Sequence, residues 1–314
     1  MEIELPYPQS TQPFDGWYTK AGVRGGARRL FSQEQEEGRV FFPPELISYF
    51  SHEVVRGLPA PRLRELTIRH LYHVLLATMH AEIRLVNRAA ELIANNQAGL
   101  CLSRADRLDA YKVYCDEGYH ALYCLDLVDQ IAAATGIPVP PWDYGDFIEQ
   151  LDEAGHRFLP GAPTLARLLQ VVIFETQVTT LLNEIPNNPT IITPIGDVFR
   201  DHARDEGLHH RFFSAFFHAL WASLGPSLQV QVANAMPPLI IACSSWGMEP
   251  VRSSLMVAGL DGPTTDAVIR EVYGGDAAAR RLRELTRATV KLCESAGVLE
   301  VAGARENFAA HGLS

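Results

Sequence analysis

The chain has 314 residues, with 27 Lys and Arg against 37 Asp and Glu, and a formal net charge of -10. This acidic balance argues against unspecific binding to nucleic acid or to an anionic membrane surface and favours small ligands or protein partners. The 5 Cys form no C-x-x-C pair, which excludes a disulfide framework and a zinc ribbon. Without a signal-like N-terminus or an apolar run of the roughly 20 residues that span a bilayer, we expect a cytoplasmic protein.

The N-terminal stretch predicts an arm with little regular structure. Residues 1–43 are rich in Pro, Gly and polar residues, which interrupt helices and strands. We expect its aromatic side chains to attach the arm to the body of the protein: Trp17, Tyr18, Phe41 and Phe42. A short helix is predicted at about 44–56.

Four long helices follow, because apolar residues recur at alternating steps of three and four. They are predicted at about 61–95, 104–135, 163–185 and 195–225. Ser103 fits the N-cap of the second helix, since its hydroxyl can accept a hydrogen bond from the first turn. A poorly patterned segment at about 144–157 is predicted to be partly helical.

The C-terminal part predicts three more helices, near 227–243, 264–273 and 276–296, and a loose tail after residue 303. No pattern typical of a β-strand stands out anywhere in the chain. We therefore expect an all-α protein with one domain, in which residues 1–60 form the arm and short helix, 61–225 the core, and 226–314 accessory helices.

The fourth long helix carries metal-ligand side chains where apolar ones belong. His202, Glu206 and His209 are three and four residues apart and share one helix face. That face also carries the apolar residues that should point into the core. Burying unpaired ionisable groups costs several kcal/mol, whereas two imidazoles and a carboxylate suit iron, manganese or zinc. The helix face with His202, Glu206 and His209 therefore predicts a metal site.

The other three helices carry matching groups. Glu117-x-x-His120 repeats the spacing of Glu206-x-x-His209, and Glu82 and Glu175 interrupt the apolar faces of the first and third helices. One Glu from each of two helices and a Glu-x-x-His from each of two others build the ferritin-like di-iron site of a four-helix bundle. Solvated or salt-bridged helix faces are the alternative, which the absence of nearby Arg or Lys on these faces disfavours.

His202 narrows the set of families that the sequence could resemble, because most such di-iron proteins have no counterpart of this histidine. With it, the order of ligands resembles that of the p-aminobenzoate N-oxygenase family, the arylamine oxygenases of aureothin and chloramphenicol biosynthesis. The resemblance covers about residues 61–225 and rests on seven positions: Glu82, Glu117, His120, Glu175, His202, Glu206 and His209.

The resemblance implies an activity and two cofactor ions. Two irons (Fe2+/Fe3+) would bind at the seven positions, with O2 as co-substrate and a peroxo-di-iron intermediate. Oxygen transfer to an amine would give a hydroxylamine, nitroso or nitro product in secondary metabolism. Asp116 and Asp205 would each accept a hydrogen bond from the histidine of the opposite helix, although ordinary surface charge is an equal alternative for both.

Three residues are candidates for the substrate pocket. Thr176 and Thr179 fall near the level of the ligands, although Thr at such positions is more often simply packed. Arg252 could anchor a substrate carboxylate, as could Arg281 or Arg283. These assignments rest on position along the chain alone.

The partners follow from what the chain lacks. It has neither an Fe-S cysteine pattern nor a G-x-G-x-x-G loop, so we expect an external ferredoxin or reductase to supply electrons. A homodimer is the default expectation for such helical bundles. Other functions stay open: oxidation of an aliphatic amine or amino acid, iron storage or delivery, and a scaffold that only keeps the fold. The ligands also suit manganese. Storage is disfavoured by the length of the chain, and a scaffold by the complete ligand set.

Overall fold

The computed structural model describes residues 13–25, 28–32, 38–182, 185 and 188–313, with only the backbone for 179–181. Apart from one parallel bridge between Val40 and Ile191, the regular structure of these residues is helical. The expected all-α fold is confirmed. None of the described helices combines the length and the apolar character needed to cross a bilayer.

Fourteen α-helices are described, and they are labelled here in chain order. They are α1 (Trp17–Lys20), α2 (Gly22–Gly25), α3 (Glu53–Arg56), α4 (Ala60–Ala81), α5 (Asn87–Ala94), α6 (Arg104–Thr135), α7 (Gly145–Phe158), α8 (Pro163–Leu182), α9 (Thr193–Ser223), α10 (Pro226–Cys243), α11 (Glu249–Val257), α12 (Gly262–Tyr273), α13 (Gly275–Ala296) and α14 (Ala304–Ala310). A π-helical turn, Glu82–Val86, joins α4 to α5 without a break. Short 3-10 turns occupy Pro44–Leu46, Ser48–Ser51 and Val298–Glu300.

The central bundle consists of α4 with α5, α6, α8 and α9. Helix α6 packs on α4, α5 and α9, while α8 packs on α9 and on the π-turn. Around this bundle, α7, α10 and α13 cover α8, and α11 covers α4. The four central helices therefore face one another, and their inner faces meet in the middle of the fold.

Local sequence explains where the ligand helices begin and end. The Ser103 hydroxyl accepts a hydrogen bond from the Asp106 amide, and the Asp106 carboxylate accepts one from the Ser103 amide, so the predicted cap of α6 is confirmed. The helix ends at Gly136, whose φ of 70° suits glycine. Helices α8 and α9 begin at or next to a proline, at positions where no amide hydrogen is needed.

The structure departs from the sequence-based expectations at four points outside the bundle. The short helix expected at 44–56 is two 3-10 turns followed by α3. Helix α11 was not expected, and the tail after residue 303 is not loose, because it forms α14 and buries Phe308. In the arm, Trp17, Phe41 and Phe42 are buried as expected, but Tyr18 is 67 % exposed and packs edge-to-face with Trp17.

Candidate metal centre

The seven predicted ligand residues lie together in the middle of the bundle, and all are fully buried. Their ligand atoms form two groups, within each of which they lie within 4.8 Å of one another. One group is Glu82, Glu117, His120, His202 and Glu206, and the other is Glu117, Glu175, Glu206 and His209. Glu117 and Glu206 belong to both groups, so each could bridge two metal ions.

Several of these atoms make no hydrogen bond among the described residues. Both carboxylate oxygens of Glu82 and of Glu206, as well as Nδ1 of His209, are buried and make no hydrogen bond of ordinary geometry with a described residue. Their close neighbours are other ligand side chains, such as His202 beside Glu82 and Glu117 beside His209. A buried polar atom that is left unsatisfied costs about 1–3 kcal/mol, and more when it is charged. Metal ions in the two groups would satisfy these atoms together, so the donor set fits two cations.

Each Glu-x-x-His histidine turns one nitrogen inward and the other towards an aspartate. Nε2 of His120 lies 3.3 Å from Oδ2 of Asp205, and Nε2 of His209 lies 3.2 Å from Oδ2 of Asp116. Each aspartate belongs to the opposite ligand helix, as the family resemblance implies. The inward nitrogens are the two Nδ1 atoms, which face Glu117 at 3.1 Å. Nδ1 is therefore the nitrogen that each ring offers to a metal.

Residues of the N-terminal arm donate hydrogen bonds to these two aspartates. The indole NH of Trp17 donates to Asp116 at 2.8 Å, and the amides of Gly22 and Val23 donate to Asp205 at 2.6 and 3.1 Å. Gly22 is required at this point, because a Cβ there would lie 2.5 Å from the backbone oxygen of Asp201 and 2.7 Å from Oδ2 of Asp205. The arm thus completes the surroundings of the histidines.

The π-turn places Glu82. This residue is the first of the five residues of the turn, and its carboxylate lies 2.7 Å from Nε2 of His202. Single π-turns widen an α-helix by one residue and occur frequently at functional sites. Here the wide turn directs the carboxylate into the bundle, while the next residue, Ile83, is 39 % exposed.

His202 joins the cluster with Nε2, unlike the other two histidines. Its Nε2 lies 3.3 Å from Oε1 of Glu206, and its ring lies 4.2 Å from the ring of His120. Tyr123 touches both rings, with centroid distances of 5.4 and 5.9 Å to His120 and His202. The hydroxyl of Tyr123 is buried and has no hydrogen-bond partner among the described residues.

Burial and mutual charge interactions shift the pKa values of the ligand side chains in the metal-free cluster. Burial raises the pKa of Glu82 to about 7, although His202 opposes this. Burial and the neighbouring Glu206 raise the pKa of Glu175. Burial and His202 would lower the pKa of His120, but Asp205 and Glu117 outweigh them and raise it to about 9. Without metal, the cluster therefore holds protons at neutral pH that metal binding would displace.

The two aspartates that accept from the histidines, Asp116 and Asp205, have pKa values shifted in opposite directions. Burial raises the pKa of Asp116 despite its contact with His209. Burial acts on Asp205 in the same direction, but His120 and the Gly22 amide outweigh it and hold the pKa of Asp205 below its usual value. His120 first, and then the backbone amide of Gly22, therefore favour the ionised form of Asp205, which suits an acceptor for His120.

A cleft of about 230 Å³ lies between the arm, α6 and α9. Tyr123 and Val198 form part of its wall, with Tyr119 and Leu122 nearer the surface. Its two arginines are ion-paired, Arg28 with Asp126 and Arg29 with Asp201. These ten residues line it: Gly22, Arg28, Arg29, Tyr119, Leu122, Tyr123, Asp126, Leu127, Val198 and Asp201. The ring of Tyr123 contacts both the cleft and the rings of His120 and His202.

Two of the three substrate-pocket candidates, Thr176 and Arg252, have described side chains, and both contact groups outside the ligand cluster. Thr176 is buried, but its hydroxyl bonds the carbonyls of its own helix and Thr289 of α13 at 2.6 Å. Arg252 is partly exposed on α11 and forms an ion pair with Asp266. The side chain of Thr179 falls outside the described residues. The hydroxyl of Thr176 and the guanidinium of Arg252 are thus both engaged with protein groups in this structure, and their role in substrate binding stays a prediction.

Sequence patterns did not reveal the parts that support the cluster. Trp17 and Gly22 lie in a segment without helical periodicity, and Tyr123 is off the inner face of α6. A tryptophan and a glycine close together in a polar arm were the only available signals. Next to the ligand His209, Nδ1 of His210 lies 3.4 Å from the backbone carbonyl of Glu175.

Comparison with known proteins agrees with this geometry. The family model described as p-aminobenzoate N-oxygenase AurF matches residues 30–297. A comparison with curated proteins gave no match. The matched range includes all four ligand helices and the outer helices as far as α13, and the two ligand groups lie within it. With most of its length matched, the chain belongs to the p-aminobenzoate N-oxygenase family.

Proposed function

We propose that the protein is a di-iron monooxygenase that uses O2 to oxidise an amine nitrogen, with an arylamine as substrate and a role in secondary metabolism such as antibiotic biosynthesis. One observation carries the proposal. Seven buried ligand side chains form two groups that share Glu117 and Glu206, in a chain whose family is named for N-oxygenation.

The residues divide between two metal positions. His120, His202 and Glu82 would hold one iron, while His209 and Glu175 would hold the other, with Glu117 and Glu206 available to both. Four carboxylates offset the charge of two divalent cations, so the loaded site would be close to neutral. When bound, the two irons would supply the activation of O2 and the transfer of oxygen to nitrogen.

The surrounding residues orient and shield the ligands. Asp116 and Asp205 accept hydrogen bonds from the Nε2 atoms of two histidines, which fixes their tautomer and makes Nδ1 a better donor. Phe14 covers His209, with a ring-to-ring distance of 6.0 Å. A dry, rigid surrounding of this kind keeps water from the reacting groups.

The substrate and the electrons must both come from outside the bundle. We place the approach of the amine at the cleft beside Tyr123, because this ring contacts the cleft on one side and two ligand histidines on the other. The chain has no motif for a flavin, nicotinamide or Fe-S group. A ferredoxin or reductase would therefore supply the electrons.

The decisive experiment mixes the anaerobically Fe(II)-loaded protein with O2 in a stopped-flow spectrophotometer, with and without aryl and alkyl amines. We expect an aryl amine to be consumed and to yield a hydroxylamine, nitroso or nitro compound that mass spectrometry identifies. Turnover of alkyl amines or amino acids alone would move the proposal to that substrate class. Oxidation of iron without loss of any amine would overturn it and favour iron storage or delivery.

A further inference from the structure

Helix α13 has a strongly basic outer face in a chain that is acidic as a whole. Every exposed residue between positions 280 and 291 is charged, and four of these five are cations. The cations are called here the basic face of α13, and they are Arg280, Arg283, Arg287 and Lys291, with Glu284 as the acid among them. Spacings of three and four residues place them along one side of the helix, over roughly 17 Å at 1.5 Å per residue.

The basic face has no ion-pair partner among the residues that the structure describes. On α12, which packs against α13, Asp266 pairs with Arg252. Glu271 of the same helix lies 3.2 Å from Nε2 of His52. Like charges three and four residues apart repel each other and destabilise a helix. The row of cations is therefore unfavourable for the fold on its own, which indicates that it serves an anionic partner.

The size of the basic face suits a small protein better than an extended polyanion. Because the whole chain has a net charge of -10, the rest of its surface would repel a long nucleic acid or an anionic membrane. Weak electron-transfer complexes, in contrast, bury less than about 1,200 Å² in total. A row of cations about 17 Å long fits within such a contact, in which complementary charge mainly speeds the encounter.

The inner side of the same helix contacts a ligand helix. The hydroxyls of Thr289 on α13 and Thr176 on α8 share a hydrogen bond of 2.6 Å, and both side chains are buried. Thr176 directly follows Glu175, which belongs to the second ligand group. The basic face is thus separated from α8 by one helix diameter, about 10 Å. A molecule on the basic face would be connected to the metal centre through one helix and one hydrogen bond.

This position leaves the substrate cleft open. The cleft lies between the arm, α6 and α9, whereas α13 packs on α8 and α9. None of the ten residues that line the cleft belongs to α13. A protein on the basic face and an amine in the cleft could therefore be bound at the same time.

The electron balance of the proposed reaction indicates the kind of partner. When one oxygen atom of O2 enters an N–H bond, the other is reduced to water, which takes two electrons and two protons. A [2Fe–2S] ferredoxin gives up one electron, so two reduced ferredoxins must bind in turn to bring two ferric ions to the ferrous state. A carrier that binds and leaves twice per turnover needs a weak, charge-guided contact.

We propose that the basic face of α13 is the docking surface of the electron donor, a small acidic ferredoxin. The inference rests on the proposed function, because the oxygenase reaction is what consumes the electrons. The four cations attract the carboxylates of the ferredoxin and orient it. Each electron then passes through α13 and the contact between Thr289 and Thr176 to the metal position that Glu175 serves.

Binding to the metal-free protein tests the surface without any reaction. The probe is a fluorescently labelled, oxidised plant-type [2Fe–2S] ferredoxin of acidic charge, and anisotropy gives the dissociation constant at low salt. We expect Arg287→Glu to raise this constant at least about fivefold. Arg104→Glu is the matched control, since Arg104 is also exposed but lies on α6, which packs on α4, α5 and α9. It should stay within about twofold of the wild type. Equal binding by the wild type and Arg287→Glu would overturn the proposal, as would an equal loss in the control.

Stopped-flow reduction tests the same surface in the iron-loaded protein. The ferric protein is mixed anaerobically with reduced ferredoxin, and the absorbance of the ferredoxin reports its oxidation. Between about 10 mM and 0.1 M salt the screening length falls from about 30 Å to about 10 Å, so the wild-type rate should fall several-fold. At low salt Arg283→Glu/Arg287→Glu should react at least about tenfold more slowly. A rate that depends on neither salt nor these arginines would contradict the docking surface. Equally fast reduction by a ferredoxin reductase alone would contradict the choice of a ferredoxin.

A single turnover separates this inference from the proposed function. Protein loaded anaerobically with Fe(II) needs no donor to react once with O2 and an aryl amine, so Arg283→Glu/Arg287→Glu should form as much product as the wild type. Normal product together with charge-independent reduction by ferredoxin would overturn the docking surface alone. Charge-dependent reduction without amine product in either protein would support the surface and overturn the N-oxygenase function.

Discussion

At the scale of single residues, His202 sets this cluster apart from a ligand set with two histidines. Its Nε2 faces Glu82 and Glu206, so it would bind the same metal as His120. We expect His202→Ala to keep the helical fold but to change the optical spectrum and the lifetime of the iron-loaded protein after mixing with O2. Glu206→Ala, which removes a carboxylate shared by both groups, should instead lower the iron content outright. An unaltered spectrum in His202→Ala would remove this residue from the site.

Gly22 shows how the arm supports a ligand that it does not touch. In Gly22→Ala the new Cβ would collide with the backbone of Asp201 and the carboxylate of Asp205, so the two amide bonds to Asp205 would be lost. We expect a loss of about 1–3 kcal/mol in the free energy of unfolding together with weaker iron binding, measured by denaturation and metal analysis. Gly25→Ala is the matched control, because a Cβ at Gly25 meets nothing within 4 Å. Equal behaviour of the two variants would contradict the role of Gly22.

His70 makes stability depend on pH. Burial, and to a smaller extent His73, lowers the pKa of His70 from its usual 6.5 to about 3. Between these two values the unfolded chain takes up a proton that the folded protein refuses, so stability falls as the pH drops below 6.5. From pH 7 to pH 5 the loss should be about 2 kcal/mol. The control is His70→Phe, measured at the same two pH values. This variant lacks the loss that His70 causes, whereas the titration of the ligand cluster is common to both proteins. Parallel pH curves for the two proteins would contradict a buried neutral His70.

At the scale of elements, the cap of α6 is expected to matter for stability and not for metal binding. Ser103→Ala removes the hydroxyl that accepts from the Asp106 amide, and the free energy of unfolding should fall by about 1 kcal/mol. Ser245→Ala is the control, because this exposed hydroxyl lies just after α10 and only donates to the carbonyl of Ile241 near the end of that helix. Its effect should stay within about 0.5 kcal/mol. Urea denaturation measures both, and iron content should be normal in each.

The long helices could be predicted from the sequence because their apolar faces repeat at helical spacing and proline, glycine or serine marks their ends. The ligand positions could be predicted for the same reason, since a Glu or His among regularly spaced apolar residues stands out. Helix α11 was missed because it has only nine residues, and the π-turn because its extra residue leaves no mark in the composition. The arm was missed as a support because Trp17 and Gly22 act through contacts distant in the chain.

At the scale of the whole molecule, the metal-free protein should hold protons that the metals displace. Glu82, with a pKa of about 7, is about half protonated at pH 7, and His120, with a pKa of about 9, is charged, while burial and Glu206 also raise the pKa of Glu175. Anaerobic binding of Fe(II) at pH 7 should therefore release at least about one proton per chain. Calorimetry in two buffers with different ionisation enthalpies measures this number, and iron affinity should rise with pH. Binding without proton release would show that the carboxylates and imidazoles are already deprotonated.

The wide turn at Glu82 also has a meaning for how such a site can arise in evolution. A π-turn holds one residue more than the α-helical turn that fills the same place, and a gene acquires it by the insertion of a single codon. In a regular α-helix such an insertion would rotate all later residues by about 100°, whereas the wide turn takes up the extra residue and leaves the flanking helix in its packing. A chain without the extra residue could still pack this helix in the same bundle, but another side chain would face the histidines. The carboxylate of Glu82 could thus be recruited by one codon within a helix that was already folded.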